Sequence, residues 1–148
     1  MGKAIKKVAA VKTAKVTKKP AVETFKPVGT PLGPYCAGKI VNSNGRWGFS
    51  SGQIGVNLKT TTLVPGGVVA QTKRALGNLK KLASVNGFKM DGDTVKAVVY
   101  LTDMNNFAKC NEVYTKFFKN SPPARSCVAA ASLPKGALFE IEATFFKA

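Results

Sequence analysis

The chain has 148 residues, 45% of them apolar, with 23 Lys and Arg against 7 Asp and Glu for a net charge of +16, and it contains no histidine. This length suits one domain with an appendage, and the apolar fraction suits a packed core. The missing histidine excludes His-based triads, His general bases and His–metal centres, and three widely spaced cysteines outside any CxxC pattern match neither a disulfide framework nor a zinc site.

Cys36, Cys110 and Cys127 therefore read as reduced thiols of an intracellular protein. No apolar run approaches the roughly 20 residues needed to span a bilayer, and no secretory apolar region follows the start. Lys6 stands where a myristoylation signal requires Ser or Thr. A soluble, cytoplasmic protein without membrane contact is expected, with mitochondrial or nuclear addressing by the basic N-terminus as alternatives.

Residues 1–26 are read as a disordered lysine-rich tail and 27–148 as one folded domain. Up to Phe25 the tail alternates Lys, Ala, Val and Thr, and it contains Pro20, so it buries too little surface to offset its ordering entropy. Two readings stay open for it. One is an arm that makes weak, salt-dependent contact with nucleic acid or carries an address; the other is a solvated extension.

From Pro27 the pattern changes. A turn at Pro31, Gly33 and Pro34 leads into an expected strand from Tyr35 to Val41, and residues 42–45 connect it as a hairpin to a second strand over residues 46–51. The SSGQIG segment at residues 50–55 ends that strand with glycines that permit close backbone approach. A helix is expected over residues 67–85, with Val69, Thr72, Leu76, Leu79 and Ala83 on its apolar face and Gly87 as C-terminal cap. A strand follows over residues 94–102. Asp103 then caps a second helix, running to about Lys119 with a stripe of Phe107, Cys110, Tyr114 and Phe117.

Two strands close the chain, over residues 124–131 and 137–146. In the last, Ala137, Phe139, Ile141, Ala143 and Phe145 face one way, with Leu138, Glu140, Glu142, Thr144 and Phe146 opposite. The order is ββαβαββ, an α+β sandwich with two helices on one face of the sheet. Val41, Phe49, Val98 and Phe146 make the other face apolar enough to expect a partner subunit.

Within PPARSCV, at residues 122–128, Arg125 and Cys127 are two positions apart on a strand and so share one face. A guanidinium held beside a thiol among apolar residues asks for an anionic ligand.

Six stretches coincide with one family: GPY at residues 33–35, SGQIG at 51–55, GGVVAQTKRALGNL in the first helix, DMNNFAKCNEVY in the second, PARSCV at 123–128 and LPKGALFEIEA at 133–143. In these the chain, from about Phe25 to its end, resembles the Rid family of reactive-intermediate imine deaminases, also called the L-PSP endoribonuclease family. It departs from the family where Cys36 and Ala37 follow the tyrosine and Ala129 follows CV. The resemblance implies a chorismate-mutase-like fold of the bacillus type, one mostly antiparallel sheet with two helices, assembled as a homotrimer with ligand pockets between subunits. It implies hydrolysis of enamines and imines of the 2-aminoacrylate/2-iminopropanoate class to 2-oxo acids and ammonia, without metal or organic cofactor.

On that resemblance Arg125 is the carboxylate anchor and Glu140 orients water and moves protons. Tyr35, Ser51, Asn111 and Cys127 are expected to line the substrate site. Cys127 is read as a wall of the pocket rather than a nucleophile, since no base is at hand to activate it. The competing expectation is an RNA-directed protein, an endoribonuclease or translation inhibitor that uses the basic tail.

Overall fold

A computed structural model describes residues 22–30 and 38–148. Residues 1–21 and 31–37, which include Tyr35, Cys36 and most of the tail, lie outside the described residues. Strands β1 (Val22–Thr24), β2 (Gly38–Asn42), β3 (Arg46–Ser50), β4 (Gln53–Ile54), β5 (Thr94–Leu101), β6 (Ala124–Ala129) and β7 (Phe139–Lys147) build one seven-stranded sheet. Its order is β1-β2-β3-β7-β5-β6, with β4 also paired to β7. All pairings are antiparallel except β5 with β6. Helices α1 (Gly67–Val85) and α3 (Phe107–Tyr114) contribute to a single core, and α2 (Met90–Asp93) is one distorted turn between α1 and β5.

The α+β class, the hairpin and the strand–helix order agree with the sequence reading, with β1 and β4 added. The tail boundary moves. Val22–Thr24 pairs with β2, and Phe25 is 2% exposed in an aromatic group with Phe88 and Phe145, at ring separations of 6.1 and 6.5 Å. Burial of such a ring contributes about 1.5–3 kcal/mol, which favours holding residues 22–25 against the sheet.

The hairpin turn forms as its residues require: Asn44 and Gly45 take positive φ of 42° and 128°, the region Asn and Gly reach most easily. In β7 and the residues leading into it the predicted alternation holds, with Ala137 ahead of the strand and Phe139, Ile141, Ala143 and Phe145 within it all buried. The helix faces differ in detail. Val69 is 45% exposed, and α1 instead buries Gln71, Thr72, Ala75, Leu76, Asn78, Leu79, Leu82 and Ala83. Two polar side chains occupy that face because they meet loop backbone. Gln71 Oε1 accepts from Leu138 N at 2.8 Å, and Asn78 Nδ2 donates to the carbonyls of Ile54 and Val56 at 3.2 and 2.9 Å.

The second helix ends at Tyr114, short of Lys119. Beyond it the chain turns to bury Phe118, and Asp91 accepts from the backbone N–H groups of Asn120 and Ser121. The outer face of the sheet carries an aromatic ridge in which the Trp47 ring lies 6.5 Å from Phe49 and 4.7 Å from Phe146. Phe49 is 42% exposed there.

Candidate active site

β6 is the terminal strand of the sheet, and its parallel register with β5 sets Arg125 opposite Ala97 and Cys127 opposite Val99. Ala97 and Val99 are buried against the helices, so Arg125 and Cys127 point to the helix side, as the two-residue spacing predicts. α3 supplies the surroundings. The Arg125 guanidinium carbon stands 4.4 Å from the centre of the Tyr114 ring and 5.5 Å from that of Phe107, two residues one heptad apart on the helix. Asn111 lies between them in sequence, on the same stripe and half-buried.

Among the described residues the guanidinium thus rests on ring faces rather than on a carboxylate. A cation over an aromatic face gains from the ring quadrupole, and its in-plane N–H edge stays open to an acceptor. Cys127 is half-buried and packs against the core; burial pushes its thiol upward, with Arg125 opposing in part. Such a thiol is mostly protonated near neutrality and makes a poor nucleophile. Tyr114 is 6% exposed, its hydroxyl has no hydrogen-bond partner among the described residues, and burial drives its pKa up to about 12 against the opposing effect of Arg125.

Glu140 lies on the other face. Its register partner on β5 is Tyr100, and both point away from the helices. β3 pairs Phe49 with Thr144 and β4 pairs Gln53 with Ile141, so four steps on one side oppose three on the other. The extra residue is a bulge at Ser50–Gly52. Ser50 Oγ repairs the ladder there by accepting from Ala143 N at 2.9 Å.

The bulge turns the backbone of Ser51 and Gly52 toward Glu140, whose carboxylate lies so close over Gly52 that a Cβ at that position would collide with Oε1. Ser50, Ser51, Gly52, Ile54, Pro134, Glu140 and Glu142 line a concavity of about 400 Å³. Burial, and then the neighbouring Glu142, hold the Glu140 carboxyl above its ordinary value. Tyr100 is pushed up as well, by burial first and then by Glu142, to which its hydroxyl donates at 3.4 Å.

The expected residues therefore form two groups in one chain. Arg125 and Cys127, with Asn111 on the adjoining helix, sit on the helix side at the sheet edge; Ser51 and Glu140 meet on the outer face. Tyr35 lies outside the described residues. Sequence reasoning assigned Tyr114 and Phe107 only to a helix stripe and passed over Gly52 as a support for Glu140. The signals were the seven-residue spacing of the two rings and the glycine within SSGQIG. Among the described residues no three Cys, Asp or Glu side chains cluster to hold a metal, and no helix is long and apolar enough to cross a membrane.

Residues 28–146 match the family model described as Endoribonuclease L-PSP. A RutC family protein of Pyrococcus horikoshii is 42% identical over 117 residues, 79% of this chain and 90% of that protein. The goat (Capra hircus) 2-iminobutanoate/2-iminopropanoate deaminase is 41% identical over 112 residues, 76% of this chain and 79% of the enzyme. Among solved structures, Escherichia coli TdcF with bound serine superposes with a TM-score of 0.73 at 38% identity, covering 88% of this chain and all of that one. With its sheet, bulge and PARSCV strand arranged as described, this chain belongs to the Rid family, the family of endoribonuclease L-PSP.

Proposed function

We propose that the protein hydrolyses 2-imino acids, and their enamine tautomers, to 2-oxo acids and ammonia in pockets shared by neighbouring copies of a homotrimer. The observation that carries this reading is Arg125, a guanidinium set against two rings with its hydrogen-bonding edge left for a ligand. A carboxylate fits that edge through two parallel N–H···O bonds, each contributing about 1.5–3 kcal/mol. The goat deaminase, at 41% identity, acts on a substrate class of this kind, and TdcF was solved with an amino acid bound.

The anchored substrate presents a C=N carbon next to its carboxylate. Water adds to that carbon as a proton reaches the nitrogen, and the resulting carbinolamine collapses with loss of ammonia, leaving the 2-oxo acid. Glu140 is suited to orient the water and carry the proton, because a carboxyl held above its ordinary value exchanges protons nearer neutrality. Imines hydrolyse readily, so one anchor and one acid–base group suffice. No metal or organic cofactor enters this scheme.

Arg125 and Glu140 leave opposite faces of the same sheet, so their joint action requires two copies, with the Arg125 edge of one against the outer face of the next. The exposed ridge of Trp47, Phe49 and Phe146 supplies apolar surface for that contact. The test is to generate 2-aminoacrylate with a dehydratase and follow pyruvate release. Acceleration by the wild type and its loss in Arg125→Ala is expected; no acceleration, or an equally fast variant, would overturn the reading.

A second reading, an RNA-directed protein, draws on the net charge of +16 and on the exposed Lys73, Arg74, Lys80 and Lys81 of α1. Binding of a single-stranded RNA to the full chain at two salt concentrations, with intact RNA scored before and after, separates attachment from cleavage.

A further inference from the structure

Arg125 is the group on which the proposed reaction turns, and its rotamer is the least secured part of the site by ordinary means. It stands on an edge strand, it is half-exposed, and a four-bond side chain carries substantial rotamer entropy. We infer that Tyr114 is the positioning residue for Arg125: its ring face holds the guanidinium in the orientation that receives the substrate carboxylate, while its hydroxyl plays no part. The inference rests on the reading of Arg125 as carboxylate anchor.

Tyr114 is itself packed into the core. It is 6% exposed on α3, and Phe118 packs against it at a ring separation of 4.6 Å with the planes tilted by 34°. The guanidinium carbon stands 4.4 Å from the ring centre, well within the range of about 6 Å over which the ring quadrupole attracts a cation. Phe107, at 5.5 Å, is the weaker partner. A guanidinium resting on a fixed plane is confined to that plane and keeps its edge for a planar acceptor, so the ordering entropy is spent before the substrate arrives.

The hydroxyl argues that the ring face is what matters. It is buried without a partner among the described residues, a situation that costs stability compared with the same ring lacking the oxygen.

The experiment measures binding of 2-oxobutyrate, a short 2-oxo acid, to the full chain, together with kcat and KM for imine hydrolysis. Tyr114→Phe keeps the ring, and 2-oxobutyrate affinity within about 2-fold of wild type with no fall in Tm is expected. Tyr114→Leu removes the ring; weakening of 2-oxobutyrate binding and a rise in KM of about 10-fold are expected, with kcat changed less than about 3-fold. Should Tyr114→Leu fail to fold, Tyr114→3,4,5-trifluorophenylalanine keeps the shape and drains the ring face of negative potential, and it is expected to weaken binding in the same direction.

Two negative results separate the levels of the argument. If Arg125→Ala loses 2-oxobutyrate but the ring-removing or fluorinated variant binds as wild type does, the anchor stands and Tyr114 does not position it. If Arg125→Ala binds 2-oxobutyrate like the wild type, the anchor reading fails, and this inference fails with it. A fall in kcat at unchanged KM in Tyr114→Leu would also overturn it, since a misplaced anchor acts on binding.

Discussion

Arg125 on β6 and Glu140 on β7 flank the same strand, β5, yet the two side chains enter surroundings of different kinds. On the helix side the Arg125 guanidinium lies against aromatic faces, whose quadrupoles attract a cation without pairing it to an opposite charge. On the outer face Glu140 is drawn down over Gly52 into a half-buried concavity beside a second carboxylate, where its charge is disfavoured. On the proposed reading, one face offers a charge for binding and the other a proton to move. A single chain separates these tasks, and the proposed trimer would bring them together.

The largest effect should come from breaking each half and recombining them. Arg125→Ala and Glu140→Ala homo-oligomers are each expected to lose kcat/KM by 100-fold or more, on the order set by two charge-assisted hydrogen bonds or one acid–base group. Mixed assemblies of the two variants, formed by co-expression, should regain activity, since some interfaces then hold an intact Arg125 facing an intact Glu140. If the mixture stays as inactive as its parents, the two faces do not meet.

Gly52→Ala tests the support under Glu140. The added methyl would displace the carboxylate, and kcat is expected to fall by about 10- to 100-fold with a smaller change in KM, as misplacement of a reacting group by about an ångström allows. Binding of 2-oxobutyrate, read on the Arg125 side, should persist.

Glu140→Gln separates stability from activity. The folded-state value of Glu140 lies above its ordinary 4.5, so its ionisation opposes folding: the contribution is favourable at low pH and is lost as pH rises through the folded value. Removing the charge should therefore raise Tm at neutral pH, leave it unchanged below about pH 4.5, and abolish turnover. A variant less stable than wild type at neutral pH would show that Glu140 is held by partners that favour its charge.

The smallest effect is expected at Glu142. This carboxylate is the second cause, after burial, of the raised Glu140 value, so Glu142→Gln should move the acidic limb of the pH–rate profile to lower pH while turnover persists. A limb that does not move would mean that burial alone sets the proton affinity of Glu140.

Much of the fold was legible because it depends on local periodicity. The alternation through residues 137–146, the Asn–Gly turn and the extent of α1 are all properties of short windows, and the structure reproduces them; Asp103, expected to cap the second helix, instead caps a 3-10 turn at Met104–Asn106, and Asn106 stands at the start of α3. Val69 was misread because α1 is rotated so that Gln71 and Asn78 can bind loop carbonyl and amide groups, contacts made across 67 and about 20 residues of chain. Residues 22–25 were placed in the tail because three residues of strand and one phenylalanine give no periodic signal; β2 and the Phe88–Phe145 group are what hold them.

The same division applies to the site. The sequence by itself determined which residue types are present, that Arg125 and Cys127 share a face, and, through the motifs, the family. Only the tertiary structure decided that this face is the helix side, that Tyr114 and Phe107 cover the guanidinium, and that Glu140 leaves by the opposite face onto a bulge at Gly52. The physical reason is that strand parity is encoded every two residues along the chain. Which face of the sheet the helices cover, and where a bulge shifts the register, depend on packing between segments far apart in sequence.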